Sequence, residues 1–241
     1  MNTITFLYRE ILYRPLFNGL IFLYNVIPGH DFGIAIIVLT IIIRFILYPL
    51  SRKATQSQKA LQDLQPKIKE IQQKYKDNRQ AQGQALMEIY KIHKINPASG
   101  CLTMLVQLPI LLALFSVFRN GLKPESLSAL YGFVANPGLV NKFFLGLMDL
   151  SAKSLPLAIL AGLAQFVQSK MLAPPSQGLT TDFASAMNKQ MVYMFPILTV
   201  FIAAGLPAGL SLYWVAMTLF GIVQQYFTLK KNGERDTAKI N

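Results

Sequence analysis

Arg44 stands in the run Ile41-Ile42-Ile43-Arg44-Phe45-Ile46-Leu47, a charged side chain with apolar neighbours on both sides. It precedes Leu50 by six residues, roughly 9 Å of helix at about 1.5 Å per residue. In a membrane-crossing helix a central arginine costs about 2.5–3.5 kcal/mol on insertion scales. Snorkelling to the headgroups would relieve much of that cost. The other solution is a guanidinium facing a wet cavity among helices, where it could offset acidic charge. Arginine suits that role because it stays ionised where lysine sheds its proton. Thr40 lies one turn away on the same face, and Gln107, Gln165, Gln168 and Thr218 interrupt other apolar runs. Each alone reads as a helix–helix hydrogen bond. Together they favour a hydrated groove. No G-x-x-x-x-G-K-[ST] loop, no Ser/His/Asp set and no paired acids in apolar runs are present. Cys101, His30 and His93 are too few for a disulfide framework or a His/Cys zinc cluster. Neither an enzyme nor a metal or other cofactor site is expected.

Composition says what must position these residues. Of 241 residues 53% are hydrophobic and 14% charged, yet the net charge is +12. A soluble nucleic-acid binder would reach that charge with more ionic and fewer apolar residues. The class left is an integral membrane protein with basic loops. Crossing a hydrocarbon core takes about 20 mostly apolar residues, and the sequence offers five approximate spans. They fall within residues 32–50, 96–118, 154–173 and the pair inside 191–229, which turns at Leu206-Pro207-Ala208. Pro109 and Pro196 sit inside helical patterns, as membrane helices tolerate. The run 191–205 reaches about 22 Å at helical rise, short of the core, and mismatch of that sign favours bilayer thinning. An all-α membrane protein with five transmembrane helices is the expected fold.

Sixteen Lys and Arg fall in the segments 51–95, 174–190 and 230–241 or at their edges, against six on the other side. The positive-inside rule then puts the N-terminus outside and the C-terminus in the cytoplasm. Residues 119–153 become an extracytoplasmic loop. Residues 1–31 read as an amphipathic helix on the outer surface, because Arg9, Glu10, Arg14 and Pro15 interrupt any leader-like run.

Residues 51–95 are long for a connection. Leu61, Leu64, Ile68, Ile71 and Tyr75 recur at heptad spacing. Asp63 with Lys67 and Glu70 with Lys74 suggest i,i+4 pairs. A turn over 77–84 and a second helix through Leu86, Ile89, Tyr90 and Ile92 complete an antiparallel cytoplasmic hairpin. Lys67, Lys69, Lys74, Lys76 and Arg79, with Lys230 and Lys231 in the tail, give it a partner-docking character. Such a basic surface could meet ribosomal RNA, anionic lipid or an acidic protein.

Several segments carry a family resemblance. Arg14-Pro15-Leu16, Asp31-Phe32-Gly33, Leu39 through Arg44, and Tyr48-Pro49-Leu50 resemble the opening of the core of YidC/Oxa/Alb membrane insertases. Residues 64–76 resemble that family's cytoplasmic hairpin. Asn96-Pro97, Gly100-Cys101-Leu102 and Gln107-Leu108-Pro109-Ile110 are similar to its second span. Pro207-Ala208-Gly209-Leu210, Leu212-Tyr213-Trp214 and Gln224-Gln225 are similar to its last. Met217-Thr218 stands where members often carry Ser-Asn. No large extracytoplasmic domain or lipoprotein leader is expected before the core.

The resemblance implies an insertase of the bacterial inner membrane that inserts and folds nascent membrane proteins, alone or with the Sec translocon; the chain is expected to be a monomer. It implies a groove open to cytoplasm and lipid, in which Arg44 attracts acidic client residues. Thr40 corresponds to a groove threonine, and Tyr213 and Trp214 to substrate-contacting aromatics. Gln107, Gln165 and Thr218 complete the expected groove. Hairpin and tail are expected to meet the ribosome and signal-recognition components. A transporter using Arg44 as an anion site is the competing class, but the internal repeats usual in transporters are not evident. A purely structural assembly factor would depend on packing positions such as Gly162 or Gly205 rather than on Arg44.

Overall fold

The computed structural model describes residues 3–96, 99–121, 124–171, 173 and 190–237. Most of the expected loop 174–190, with Lys189, lies outside these residues, as do Lys123 and Lys239. The chain is mostly helical. Helix α1 (Thr3–Tyr8) runs through a π-helical turn at Arg9–Tyr13 into α2 (Arg14–Val26). Then come α3 (Phe32–Ile46), α4 (Tyr48–Asp63), α5 (Gln65–Lys74) and α6 (Arg79–Ile92). Helix α7 (Ser99–Ser116) carries Pro109 inside it. Helices α8 (Leu155–Met171), α9 (Phe195–Gly205) and α10 (Ala208–Thr237) follow. An all-helical reading misses one small feature, the antiparallel pair β1 (Phe143–Phe144) and β2 (Met148–Asp149).

Local chemistry explains where the helices start and stop. Asp31 caps α3 by accepting the Ile34 amide at 2.8 Å. Helix α3 ends at Ile46, with Leu47 as its cap, because Pro49, in the first turn of α4, has no amide hydrogen to continue the ladder. The continuous helix expected over 32–50 is therefore two helices meeting at 67°. Among the described residues no single helix is long and apolar enough to cross a membrane, though the bent α3–α4 pair passes by length and composition together.

The α5–α6 turn occupies residues 75–78 rather than the expected 77–84. Asn78 caps α6 by accepting the Ala81 amide at 3.0 Å, and Gly83 lies within the helix. A side-chain cap outweighs the glycine as a start signal. The expected Asp63–Lys67 pair is replaced by Lys59–Asp63 at 2.6 Å. The helix breaks at Leu64, ahead of Pro66, between Asp63 and Lys67. Glu70 and Lys74 form no ion pair among the described residues. Of the heptad seam, Leu64 and Ile68 are buried while Leu61, Ile71 and Tyr75 are half-buried.

Packing inverts the pattern of a soluble protein. Outward faces are apolar: Leu160 and Leu163 on α8, Ile197 and Phe201 on α9, Val223 and Phe227 on α10. Buried positions include Thr40, Arg44, Thr199, Ser211, Thr218, Gln224 and Gln225. The apolar core gathers at one end, where Phe17, Leu20, Ile21 and Tyr24 of α2 meet Phe32, Ile36 and Leu39 of α3. Small residues permit close approach of helices: a Cβ on Gly162 of α8 would overlap Val200 of α9 and come within 3.1 Å of the Pro196 carbonyl.

That end is tied by side-chain bonds to backbone. Buried Asn18 donates to the Arg14 carbonyl at 2.8 Å and accepts the Tyr131 amide at 2.6 Å. The Tyr24 hydroxyl accepts the Asn141 amide at 2.9 Å. Residues 150–153 strap the α9–α10 turn, with Gly209 donating to Leu150 and Ala208 to Ala152. Asn18→Ala should lower stability by about 1–3 kcal/mol, because it leaves buried backbone groups unpaired. Asn25→Ala, which removes an exposed bond to the Ala135 carbonyl, should cost much less. Thermal unfolding in detergent and the rate of proteolysis within 124–150 measure both.

Candidate functional site

Thr40 and Arg44 are four residues apart on the buried face of α3, so both side chains point between the helices. Arg44 is only 8% exposed. It forms no ion pair among the described residues, and its buried Nε has no hydrogen-bond partner there. Opposite stands Gly221 of α10. A Cβ at Gly221 would overlap the Gln168 amide nitrogen of α8 and lie 3.8 Å from an Arg44 Nη. The missing side chain is thus what lets a glutamine from α8 and an arginine from α3 share one space over the α10 backbone. The Tyr213 hydroxyl lies within electrostatic range of Arg44.

The remaining expected groove residues divide. Gln107 of α7 donates through Nε2 to the Tyr213 hydroxyl, joining α7 to α10. Tyr213 is buried in the apolar core rather than on a surface. Trp214, next along, is half-buried. The Thr40 hydroxyl donates to the Ile36 carbonyl at 2.6 Å, and that of Thr218 to the Trp214 carbonyl at 2.8 Å. Each still offers oxygen lone pairs. Gln165 donates at 3.5 Å to Ser169 of its own helix.

Sequence reasoning singled out Gln168 as polar but did not set it beside Arg44. It also passed over Gly221, three residues after Thr218. The useful signal is the helical spacing Thr218, Gly221, Gln225, Thr228, a polar or side-chain-free stripe of nearly three turns. Lower along α10, Gln224 donates to the Ser51 hydroxyl at 2.6 Å, tying α10 to α4. The Oε1 of Gln225 is buried without a partner among the described residues. Phe45 and Phe220 meet edge-to-face at 5.4 Å and join α3 to α10 beside this stripe.

Of the expected docking residues, Lys67, Lys74, Lys76 and Arg79 are exposed and Lys69 half-buried. None forms an ion pair among the described residues. Lys230 is exposed on α10, and the side chain of Lys231 lies outside the described residues. The Gln107–Tyr213 contact has a measurable expectation. Interhelical polar contacts in membranes are worth roughly 0.6 kcal/mol on average and up to about 1.7. Gln107→Leu and Tyr213→Phe should each destabilise, and the double variant should lose less than their sum by about that coupling. Unfolding in detergent closes the cycle.

Residues 22–235 match the family described as 60Kd inner membrane protein. A Membrane protein insertase YidC from Fusobacterium nucleatum is 39% identical over 222 residues, covering 91% of this chain and 98% of that one. The proteins of the same name from Geobacter metallireducens and Geobacter sulfurreducens are each 34% identical over about nine-tenths of this chain. The chain spans only 37% of the length of either Geobacter protein. With the match running from α2 to the end of α10, the chain belongs to the 60Kd inner membrane protein family, that of the YidC proteins its sequence resembles.

Proposed function

We propose that this chain inserts and folds nascent membrane proteins in a bacterial inner membrane, using a polar groove around Arg44. One observation carries the reading: a permanently charged guanidinium is held among helices without an acidic partner among the described residues. Burying a charge unpaired is costly, so its retention favours a role in meeting a partner's charge. The family and the name borne by its relatives support the activity.

The chain crosses the membrane five times in this reading. The spans are α3 with the start of α4, then α7, α8, α9 with the π-helical turn at Gln190–Met194 before it, and α10. The N-terminus is outside and the C-terminus in the cytoplasm. Helix α8 is 17 residues long, about 25 Å at helical rise, and α9 is shorter, so the bilayer beside them thins. A client's apolar segment slides along the outward faces of α3 and α10, near Phe45, Leu219 and Val223. Its polar flank enters the groove, where Arg44 offsets acidic charge and Thr40, Gln168 and Thr218 help to hold water. The membrane potential adds about 2.3 kcal/mol per charge per 100 mV, comparable to the helix-centre penalty for one charge. Helices α5 and α6 form the cytoplasmic hairpin, which with the basic end of α10 docks the ribosome, signal-recognition components or the Sec translocon. The protein acts as a monomer.

Proteoliposomes holding only this protein test the groove. For a short single-span client with an acidic N-tail, Arg44→Ala should reduce protease protection of the tail about tenfold or more. That loss corresponds to about 1.4 kcal/mol at 25 °C, below the full helix-centre value. Arg44→Lys should largely preserve it. Equal loss in both would point to bidentate recognition rather than charge, and full protection in both would remove Arg44 from the mechanism. Deleting residues 61–92 should slow co-translational insertion more than insertion of released clients. Unchanged ribosome and translocon association after that deletion would contradict the docking role.

A further inference from the structure

The loop hairpin between α7 and α8 carries an anomaly. The Leu147 amide donates to the Phe144 carbonyl at 3.0 Å, closing a turn whose central residues, Leu145 and Gly146, have φ of 50° and 70°. Turns with two left-handed central residues favour Asn-Gly or Gly-Gly. A leucine there is strained, since its Cβ crowds the following carbonyl. Burial within the fold offsets little of that strain: Leu145 is 60% exposed and Leu147 87%. An apolar residue kept in a costly conformation on a surface points to a function outside the chain's own core.

The surroundings fix where the tip stands. Asp31, the cap of α3, accepts the Leu145 amide at 2.5 Å, and the Phe144 ring lies on Gly33, where a Cβ would overlap it. The turn is therefore held at the first turn of α3. Its other strand leads through Leu150 and Ala152 to the strap on the α9–α10 turn. The tip sits where α3 begins, on the side where the strap meets the α9–α10 turn and α8 starts at the exposed Leu155. The Leu145 and Leu147 amides are both satisfied internally. The tip thus offers hydrocarbon with these two amides already paired, which suits lipid better than a polar protein surface.

We infer that Leu145-Gly146-Leu147 is a lipid-inserting tip that dips into the outer leaflet and fixes the depth of this end of the bundle. The inference rests on the membrane-spanning reading above. It is tested with the full chain in phosphatidylcholine vesicles. An environment-sensitive fluorophore is placed at Leu147→Cys in a Cys101→Ser background, with Asn136→Cys and Leu163→Cys as references. Expected is a blue-shifted emission at 147, quenched by nitroxide-labelled lipid several-fold more than at 136, and shielded from iodide. Leu145→Asn, which suits the left-handed backbone, should keep or raise the melting temperature while reducing lipid quenching at 147. Iodide access at 147 without lipid quenching overturns the inference, provided 163 is lipid-quenched. Failure of lipid quenching at 163 removes the spanning reading, and the inference with it. Blue-shifted emission at 147 without lipid quenching places the tip against a second copy of the chain, which also overturns it.

Discussion

A guanidinium cannot discard its charge, so one enclosed by helices must be solvated by what those helices supply. Much of the interior around Arg44 is arranged to that end. The hydroxyls of Thr40 and Thr218 spend their protons on their own helices and keep their oxygens available as acceptors. Gly221 withholds a side chain where one would close the space. Gln168 reaches across from α8 with an amide that can present either donor or acceptor. Tyr213, fixed by Gln107, bounds the apolar side of the cluster. Removing a side chain at position 221 is as much a part of this environment as placing one at 44.

The two ends of the bundle are built differently. At the end nearest the first residues of α3, cross-chain bonds from Asn18, Tyr24 and Asp31 clamp the loop, and the 150–153 strap clamps the last turn. At the other end, among the described residues, Gln224 ties α4 through Ser51 and Gln62 through the Ala173 carbonyl. Beyond these, α5 and α6 project with Leu64 and Ile68 as their buried anchors.

Much of this could be read from residue order. Four-residue spacing put Thr40 and Arg44 on one face, and Leu206-Pro207-Ala208 announced the turn before α10. The resemblance in Tyr48-Pro49-Leu50 and Gln224-Gln225 named segments that the fold brings together through Ser51. Missed features depended on contacts between distant segments. Gln168 and Gly221 are 53 positions apart, and no local period relates them to Arg44. Other differences arose from rival local signals: Asn78 won over Gly83, and Pro49 cut a run that hydropathy read as continuous. The short β hairpin escaped because its turn carries leucine where Asn-Gly would have flagged it.

The bend at Leu47 has an electrostatic consequence. In an unbroken helix over 32–50 Arg44 would sit mid-helix, where peptide dipoles on either side largely cancel. Ending α3 at Ile46 instead places Arg44 in the last turn, beside carbonyl groups that sum to roughly half a negative charge. Such a position favours a cation by about 0.3–1 kcal/mol, and more when partly buried. The proline that kinks the chain thereby leaves Arg44 a backbone counter-field that the N-terminus of α4, starting at Tyr48 and bent away by 67°, offsets only in part.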